Sequence, residues 1–355
     1  MSIKVLYIIS SLRRSGPVNV LYSIVKDAMI NNIEPIIVTL KPEFKRSKLN
    51  SFTDLDIEVI NVGRNSSTLT KIIKIIDDRN IEVVHSHGVI PDFINCLIRK
   101  KKENVYCIST LHNFPFEDYK FAYGRICGFL LAVIHCLIVR NLICVSCSDT
   151  IQQKFKKLHL STISIPNGVE LPDFSKVINA RRKRENVFLY LGEVNRRKNV
   201  HLLIEAFKNL TQYELLIVGD GPELKSLEKQ NCYKNIKFVG RTENPVSFFM
   251  KSDYYISASL SEGLPMACLE AMSYGLPVIL SDISPHREIM NDKVGVTFSS
   301  NDLKDLLKQI KKISSLNINS KNVYKHIEDK YSAARVSEEY GNLYNELIEN
   351  QFSKS

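Results

Sequence analysis

Residues 261–282 read SEGLPMACLEAMSYGLPVILSD and place two carboxylates, Glu262 and Glu270, eight residues apart. Glu262 falls in a Gly-Pro loop, and Glu270 falls inside the helix expected to follow it. Pro265 suits the first helical position, where the amide it lacks would be unpaired anyway. Gly275 suits the position just past the helix end, and Pro277 keeps the helix from continuing. The run VILSD then reads as a buried strand. On this reading the amides around Gly263, Leu264 and Met266 are left free at a helix N-terminus, where they can hold a phosphate. One carboxylate stands beside that anion site and the other about one helical turn deeper. The layout fits a diphosphate flanked by hydroxyl-rich groups, which is the shape of a nucleotide sugar.

Set in EGLPMACLEAMSYGLPVI, this spacing resembles the Glu-x7-Glu motif of retaining glycosyltransferases with the GT-B fold, glycosyltransferase family 4 (group 1). The resemblance implies that Glu270 holds the ribose hydroxyls and Glu262 contacts the donor sugar. Gly263, Leu264, Pro265 and Met266 would form the loop over the diphosphate. The segment LGEVNRRKNVHLLIEAF, 191–207, is similar to the family stretch in which a strand ends in Gly-Arg and a lysine follows. There the two cations stabilise the leaving diphosphate as negative charge develops. Lys198 aligns with that lysine, whereas Glu193 stands at the arginine position, so Arg196 or Arg197 is expected to supply the missing charge. His112, in STLHNFPF, sits where the family carries a histidine beside the donor sugar. The resemblance thus makes Glu262, His112 and Lys198 the candidate catalytic residues.

Three further segments look like parts of the same family. SSLRRSGPVNV corresponds to its glycine-rich phosphate loop, with Gly16-Pro17 in place of Gly-Gly. Proline donates no amide hydrogen bond, while Gly16 still permits close backbone approach. IVGDGPE matches a turn on the nucleotide side, and Val239–Arg241 resembles the strand end that meets the nucleobase. IPNGVEL matches the turn that ends the family's first domain.

At 355 residues the chain is long for one core, and two domains are expected. Short apolar runs alternate with helical patterns in both halves, as parallel sheets flanked by helices require. The expected fold is α/β, of the GT-B type, with two doubly wound Rossmann-like domains facing a cleft. The boundaries are 1–172, an aperiodic basic linker over 173–186, a second domain over 187–335, and a tail helix over 336–355, which the resemblance implies crosses back to the first domain. The N-terminus reads as a first strand rather than a secretion signal. ICGFLLAVIHCLIV, bounded by Arg125 and Arg140, is too short to span a bilayer and reads as a buried or interfacial helix.

Several apparent motifs carry less. Cys144 and Cys147 form a C-x-x-C, but positions three apart on a strand face opposite ways, and no second pair completes a zinc site. His85 and His87 share a strand face and mimic a metal pair without a third local ligand. The net charge of +10 comes with basic runs at Lys45–Lys48, Arg99–Lys102 and Arg181–Arg184. No nucleic-acid motif accompanies them, and an anionic membrane surface is the other partner class they fit.

The expected activity is retaining transfer of a sugar from a nucleoside-diphosphate sugar, a UDP-hexose or UDP-HexNAc, to a hydroxyl of a lipid-linked or saccharide acceptor. Bacterial surface polysaccharide assembly is the expected setting, in the cytoplasm or peripherally on the inner face of the plasma membrane. No metal and no cofactor beyond the donor is implied. The rivals are a GT-B epimerase or phosphorylase, a non-catalytic scaffold, and a dinucleotide oxidoreductase. The missing G-x-G-x-x-G fingerprint argues against the last.

Overall fold

The structure is a computed structural model that describes residues 2–43, 47–181 and 186–352. Lys45, Arg46, Arg182, Lys183 and Arg184 of the basic runs lie outside the described residues. The chain divides into two compact units, Met1–Val169 with Ala333–Ser355 and Glu170–Ser332.

The first unit is built on seven strands: β1 (Ile3–Ile9), β2 (Ile33–Thr39), β3 (Glu58–Asn61), β4 (Val83–His87), β5 (Tyr106–Leu111), β6 (Ile143–Ser146) and β7 (Ile163–Ser164). They lie in the order β3-β2-β1-β4-β5-β6-β7, every pairing parallel. A parallel sheet is covered on both faces, which explains why β1 is an almost unbroken apolar run rather than an alternating one. The direction of winding reverses between β1 and β4, and at such a switch point the carboxyl ends of the strands are where ligands gather. His85 and His87 of β4 lie beside that point.

The helix Ala333–Phe352 belongs to this first unit, although a whole domain separates it in sequence. Polar contacts key it in place. The Tyr344 hydroxyl lies 2.7 Å from His85 Nδ1, the Tyr340 hydroxyl 2.9 Å from Thr110 Oγ1, and Ser337 Oγ donates to the Ile24 carbonyl at 2.9 Å. All of these side chains are buried.

Behind the sheet, the helix Val89–Arg99 carries the fully buried Asp92. Asp92 accepts from Ser86 Oγ at 2.7 Å and Ser109 Oγ at 2.8 Å, and His135 Nε2 lies 2.8 Å from its other oxygen. The Tyr119 hydroxyl reaches His135 Nδ1 at 2.8 Å. Tyr119 and His135 sit on a helical hairpin, Pro115–Tyr123 and Arg125–Val139, so this chain of bonds pins the hairpin to the body of the unit.

The second unit has six parallel strands: β8 (Val187–Leu191), β9 (Glu214–Val218), β10 (Ile236–Gly240), β11 (Tyr254–Ser257), β12 (Val278–Ser281) and β13 (Gly295–Phe298). Their order is β10-β9-β8-β11-β12-β13. The segment expected to be an aperiodic linker instead holds a helix, Phe174–Ala180. Asp173 caps it by accepting from the Ser175 and Lys176 amides, Val177 is buried, and Phe174 stacks on Tyr324 with centroids 4.3 Å apart. A capped helix of about two turns with one buried side chain is too short to show periodicity in sequence. Arg181 ties the end of this segment down by donating to the Ser252 carbonyl at 2.6 Å and the Tyr274 carbonyl at 3.2 Å.

Candidate functional site

The site in the second unit is assembled from three loops that follow β8, β11 and β12. After β8, Asn195 opens a single 3-10 turn, Arg196–Lys198, and its side chain accepts from the Lys198 amide at 3.0 Å. Asn199 closes the turn in the left-handed region with φ 53°, a conformation asparagine tolerates better than most residues. This turn points Arg197 and Lys198 one way and Arg196 another. Arg196 is exposed and faces Glu223 at 3.6 Å, so of the two arginines it is Arg197 that joins the site. Glu193 is exposed, and its backbone carbonyl accepts from the buried Tyr190 hydroxyl at 2.7 Å.

Glu262 lies where these cations converge. Lys198 Nζ is 2.5 Å from Oε1, and Arg197 Nη1 is 3.0 Å from Oε2. Arg197 Nη1 also donates to the Ser261 carbonyl at 2.7 Å, while the Leu260 amide donates to the Arg197 carbonyl at 2.8 Å. The β8 and β11 loops are thereby locked to each other. Only 7% of Glu262 is exposed. Burial alone would raise its carboxyl pKa, but the Lys198 ammonium and Arg197 guanidinium, helped by His286, override it and hold the group far below the usual glutamate range. Glu262 is therefore a permanently ionised carboxylate. A carboxylate offers about four acceptor positions, so its two oxygens can still meet sugar hydroxyls.

His286 completes the inner wall. It lies in the short helix Ser284–Ile289 after β12, is fully buried, and its Nδ1 is 2.9 Å from the Ser281 carbonyl. Burial lowers its pKa to about 4, against the pull of Glu262, so the ring is neutral at pH 7. Its Nε2 has no hydrogen-bond partner among the described residues. Nothing in the sequence marked His286; a histidine two residues into a short helix is recognisable only once β12 is seen to end beside Glu262.

The motif helix runs Met266–Ser273. Pro265 precedes it as the cap residue, with ψ 85°, rather than occupying its first helical position. The difference is one residue, and the reason is that the Pro265 carbonyl already accepts from Cys268 and Leu269 at 2.9 and 3.1 Å. The amides of Met266 and Ala267 have no partner among the described residues, so an anion-competent helix start is present here. Gly275 has φ 72° and ends the helix as expected; its amide bonds to Met272 and that of Leu276 to Ala271, the paired closure of a Schellman motif. Glu270 is half-buried on the same helix. Gly219 and Gly221 of the GDGP turn are demanded by close approach. A Cβ on Gly219 would stand 1.8 Å from the Gly192 carbonyl oxygen, and one on Gly221 2.3 Å from that of Val194. Arg241 is exposed just beyond Gly240.

Two other expected site residues belong to the first unit. His112 is half-buried after β5, with its Nε2 3.0 Å from His87 Nδ1, and burial lowers its pKa to about 4. His85 and His87 do share a face, their rings 4.5 Å apart, but His85 bonds Tyr344 and Thr110. No metal-ligating cluster occurs among the described residues. Gly16 heads the helix Gly16–Val25 and is exposed, with open space where a Cβ would lie. Packing within the protein therefore does not require glycine there. Cys144 Sγ contacts the Val139 carbonyl and Cys147 Sγ that of His112, so the two thiols diverge.

Residues 173–330, which hold the Glu262 site entire, match the family model described as glycosyl transferases group 1. Among curated proteins the chain is 25% identical to an Escherichia coli UDP-Gal:alpha-D-GlcNAc-diphosphoundecaprenol alpha-1,3-galactosyltransferase, over 82% of each chain. It is also 25% identical to the E. coli O-antigen biosynthesis glycosyltransferase WclY, over 97% of this chain and 99% of that one. Among solved structures it superposes on Anabaena HepE in complex with UDP and glucose with a TM-score of 0.79 at 15% identity, covering 97% of this chain and 99% of that one. For the lipopolysaccharide outer core galactosyltransferase WaaB the TM-score is 0.70 at 17% identity, covering 97% and 100%. The chain therefore carries a group 1 glycosyl transferase domain over residues 173–330, on a GT-B fold, and is a glycosyltransferase.

Proposed function

We propose that the second unit binds a UDP-linked hexose or HexNAc and that the enzyme transfers this sugar, with retention, to a hydroxyl of a saccharide or lipid-linked acceptor in surface polysaccharide assembly. The observation that carries the reading is the buried Glu262 carboxylate gripped by Lys198 and Arg197 beside the start of the motif helix. In this reading Glu270 binds the ribose hydroxyls, and the Met266 and Ala267 amides meet the diphosphate. Lys198 uses one of its three ammonium donors on Glu262, and its charge, with that of Arg197, stabilises the departing diphosphate as the glycosidic bond breaks. Glu262 holds both cations in place and accepts from hydroxyls of the donor sugar. The acceptor hydroxyl attacks from the face the diphosphate leaves, and a departing phosphate oxygen takes its proton. The named activities of the E. coli relatives and the UDP bound by HepE support a UDP donor and a saccharide acceptor. No separate cofactor or metal is included in the proposal, because the cations and the helix start supply the positive field.

The test is ligand-induced thermal stabilisation with UDP, GDP, ADP and their sugars, on wild type and Glu270→Ala. At a hundredfold excess over Kd a ligand adds about 2.7 kcal/mol to the folded state. A shift with uridine nucleotides alone that vanishes in Glu270→Ala is the expected result. A shift with guanosine or adenosine nucleotides replaces the donor, and no shift with any of them removes the donor site.

A further inference from the structure

The helix Arg125–Val139 is apolar on two opposite faces, and only one of them is used by the fold. Gly128, Ala132, His135 and Val139 form the buried face. Gly128 is where the hairpin partner crosses, since a Cβ there would stand 2.5 Å from the Tyr119 carbonyl oxygen. On the other face lie Ile126, Phe129, Leu130, Ile134 and Leu137, each more than half exposed and Ile126 78% so. Phe121 and Tyr123 extend this patch onto the first helix of the hairpin. A helix that is hydrophobic all round is normally buried on all sides, and a contiguous exposed apolar strip of this kind marks an interaction surface.

Charge identifies what covers it. The helix contains no acidic residue and is bracketed by the exposed Arg125 and Arg140. It runs back against the sheet between β5 and β6, as the helix Val89–Arg99 does between β4 and β5, so both end at the amino-terminal edge of the strands. That edge carries Arg99, Lys100 and Lys101, all exposed, while Lys102 is paired with Asp77. Fifteen residues make a strip about 22 Å long. It is too short to cross a bilayer, and no helix among the described residues is long and apolar enough to do so. An apolar strip of this length with cations at its ends matches a helix lying flat at a lipid interface. We infer that the exposed face of the Arg125–Val139 helix is a membrane-docking surface that inserts into an anionic bilayer, with Arg125, Arg140 and the Arg99–Lys101 run on the lipid phosphates. The Asp92–His135–Tyr119 chain of hydrogen bonds then serves as its mount, holding the hairpin rigid so that insertion fixes the orientation of the whole unit. The inference rests on the surface alone and stands apart from the donor site.

The full-length protein is tested by sedimentation with vesicles of phosphatidylcholine, with and without phosphatidylglycerol, at low and high salt. Wild type is expected to enrich on the anionic vesicles. Combining Ile126→Ser, Phe129→Ser and Ile134→Ser should lower that affinity about tenfold or more. Each of Arg125→Gln and Lys100→Gln should weaken it about fivefold, with no change on neutral vesicles. The chain has no tryptophan, so Phe129→Trp provides a single reporter whose emission should move to the blue on anionic vesicles. Unchanged thermal shifts with nucleotide would show that the serine variant is folded, and they keep this outcome separate from the donor reading. The inference is overturned if wild type does not enrich on anionic vesicles, or if it enriches equally after the serine substitutions. It is also overturned if the patch instead mediates self-association, seen as a dimer in sedimentation velocity that the serine variant loses.

Discussion

Each unit gathers polar side chains at the carboxyl ends of its strands, but the two clusters solve the problem of burial in opposite ways. In the second unit Glu262 stays ionised, held by Lys198 and Arg197 at 2.5 and 3.0 Å. In the first, His85, His87 and His112 stay neutral, because burial lowers each pKa and their mutual repulsion lowers those of His85 and His87 further. His85 bonds the hydroxyls of Thr110 and Tyr344, and His87 and His112 bond each other, so no carboxylate takes part. The ionised cluster is suited to hold a ligand that carries charge. The neutral one is suited to lock the C-terminal helix to the sheet, where a fixed charge would cost several kcal/mol of desolvation.

The sharpest way to break this contrast is Glu262→Gln. It leaves two half-buried cations without their counter-charge and should cost about 3–5 kcal/mol of stability in the second unit, measured by urea unfolding. An unchanged transition would show that the cluster is not held by its carboxylate. Next comes Lys198→Met, for which turnover should fall about 10²–10³-fold, some 3–4 kcal/mol of transition-state stabilisation. A rise in KM with turnover intact would mean that Lys198 binds the donor without acting on the leaving group. In the first unit, His85→Phe leaves the buried hydroxyls of Tyr344 and Thr110 short of a partner. It should cost about 1–3 kcal/mol, with faster amide exchange in the helix Ala333–Phe352. Protection left as it was would show that this helix is held by apolar packing alone.

Acid provides the smallest and most discriminating effect. His85, His87 and His112 are neutral when folded, whereas the unfolded chain takes up protons on them below about pH 6.5. Their contribution is complete above that value and is lost as pH falls toward about 4, where His112 itself charges. Glu262 has a depressed folded pKa, so its contribution is present above about pH 4.3 and is lost only as pH falls below it. His286 and His326, both lowered by burial, bring two histidines of the earlier window to the second unit. Hydrogen exchange resolved by unit should therefore show the first unit loosening before the second as pH is lowered. Simultaneous loosening would contradict the charge assignment.

Local chemistry made much of the second unit legible in advance. The Gly275 stop, the β12 run and the anion-competent start of the motif helix follow from glycine and proline stereochemistry at fixed offsets, and these act whatever surrounds them. The short helix after Asp173 was not legible, because its stability comes from a cap and a ring stacked on a residue 150 positions away in sequence order. Arg196 and Arg197 were equivalent in sequence. The 3-10 turn opened by Asn195 separates them, turning one to solvent and the other onto Glu262.

The sequence by itself determined the parallel α/β architecture and the pair of glutamates with their intervening loop, while Lys198 was singled out by the family resemblance. Such features are written in short windows, where backbone preference and hydrophobic period decide the outcome. Tertiary structure alone decided that Glu262 meets Lys198 and Arg197, that His286 stands behind them, and that Tyr340 and Tyr344 reach back to β4 and β5. It also decided that the apolar face of the Arg125–Val139 helix that carries Ile126, Phe129 and Ile134 stays uncovered. Each of these depends on which strand lies beside which, and no window of sequence contains that information.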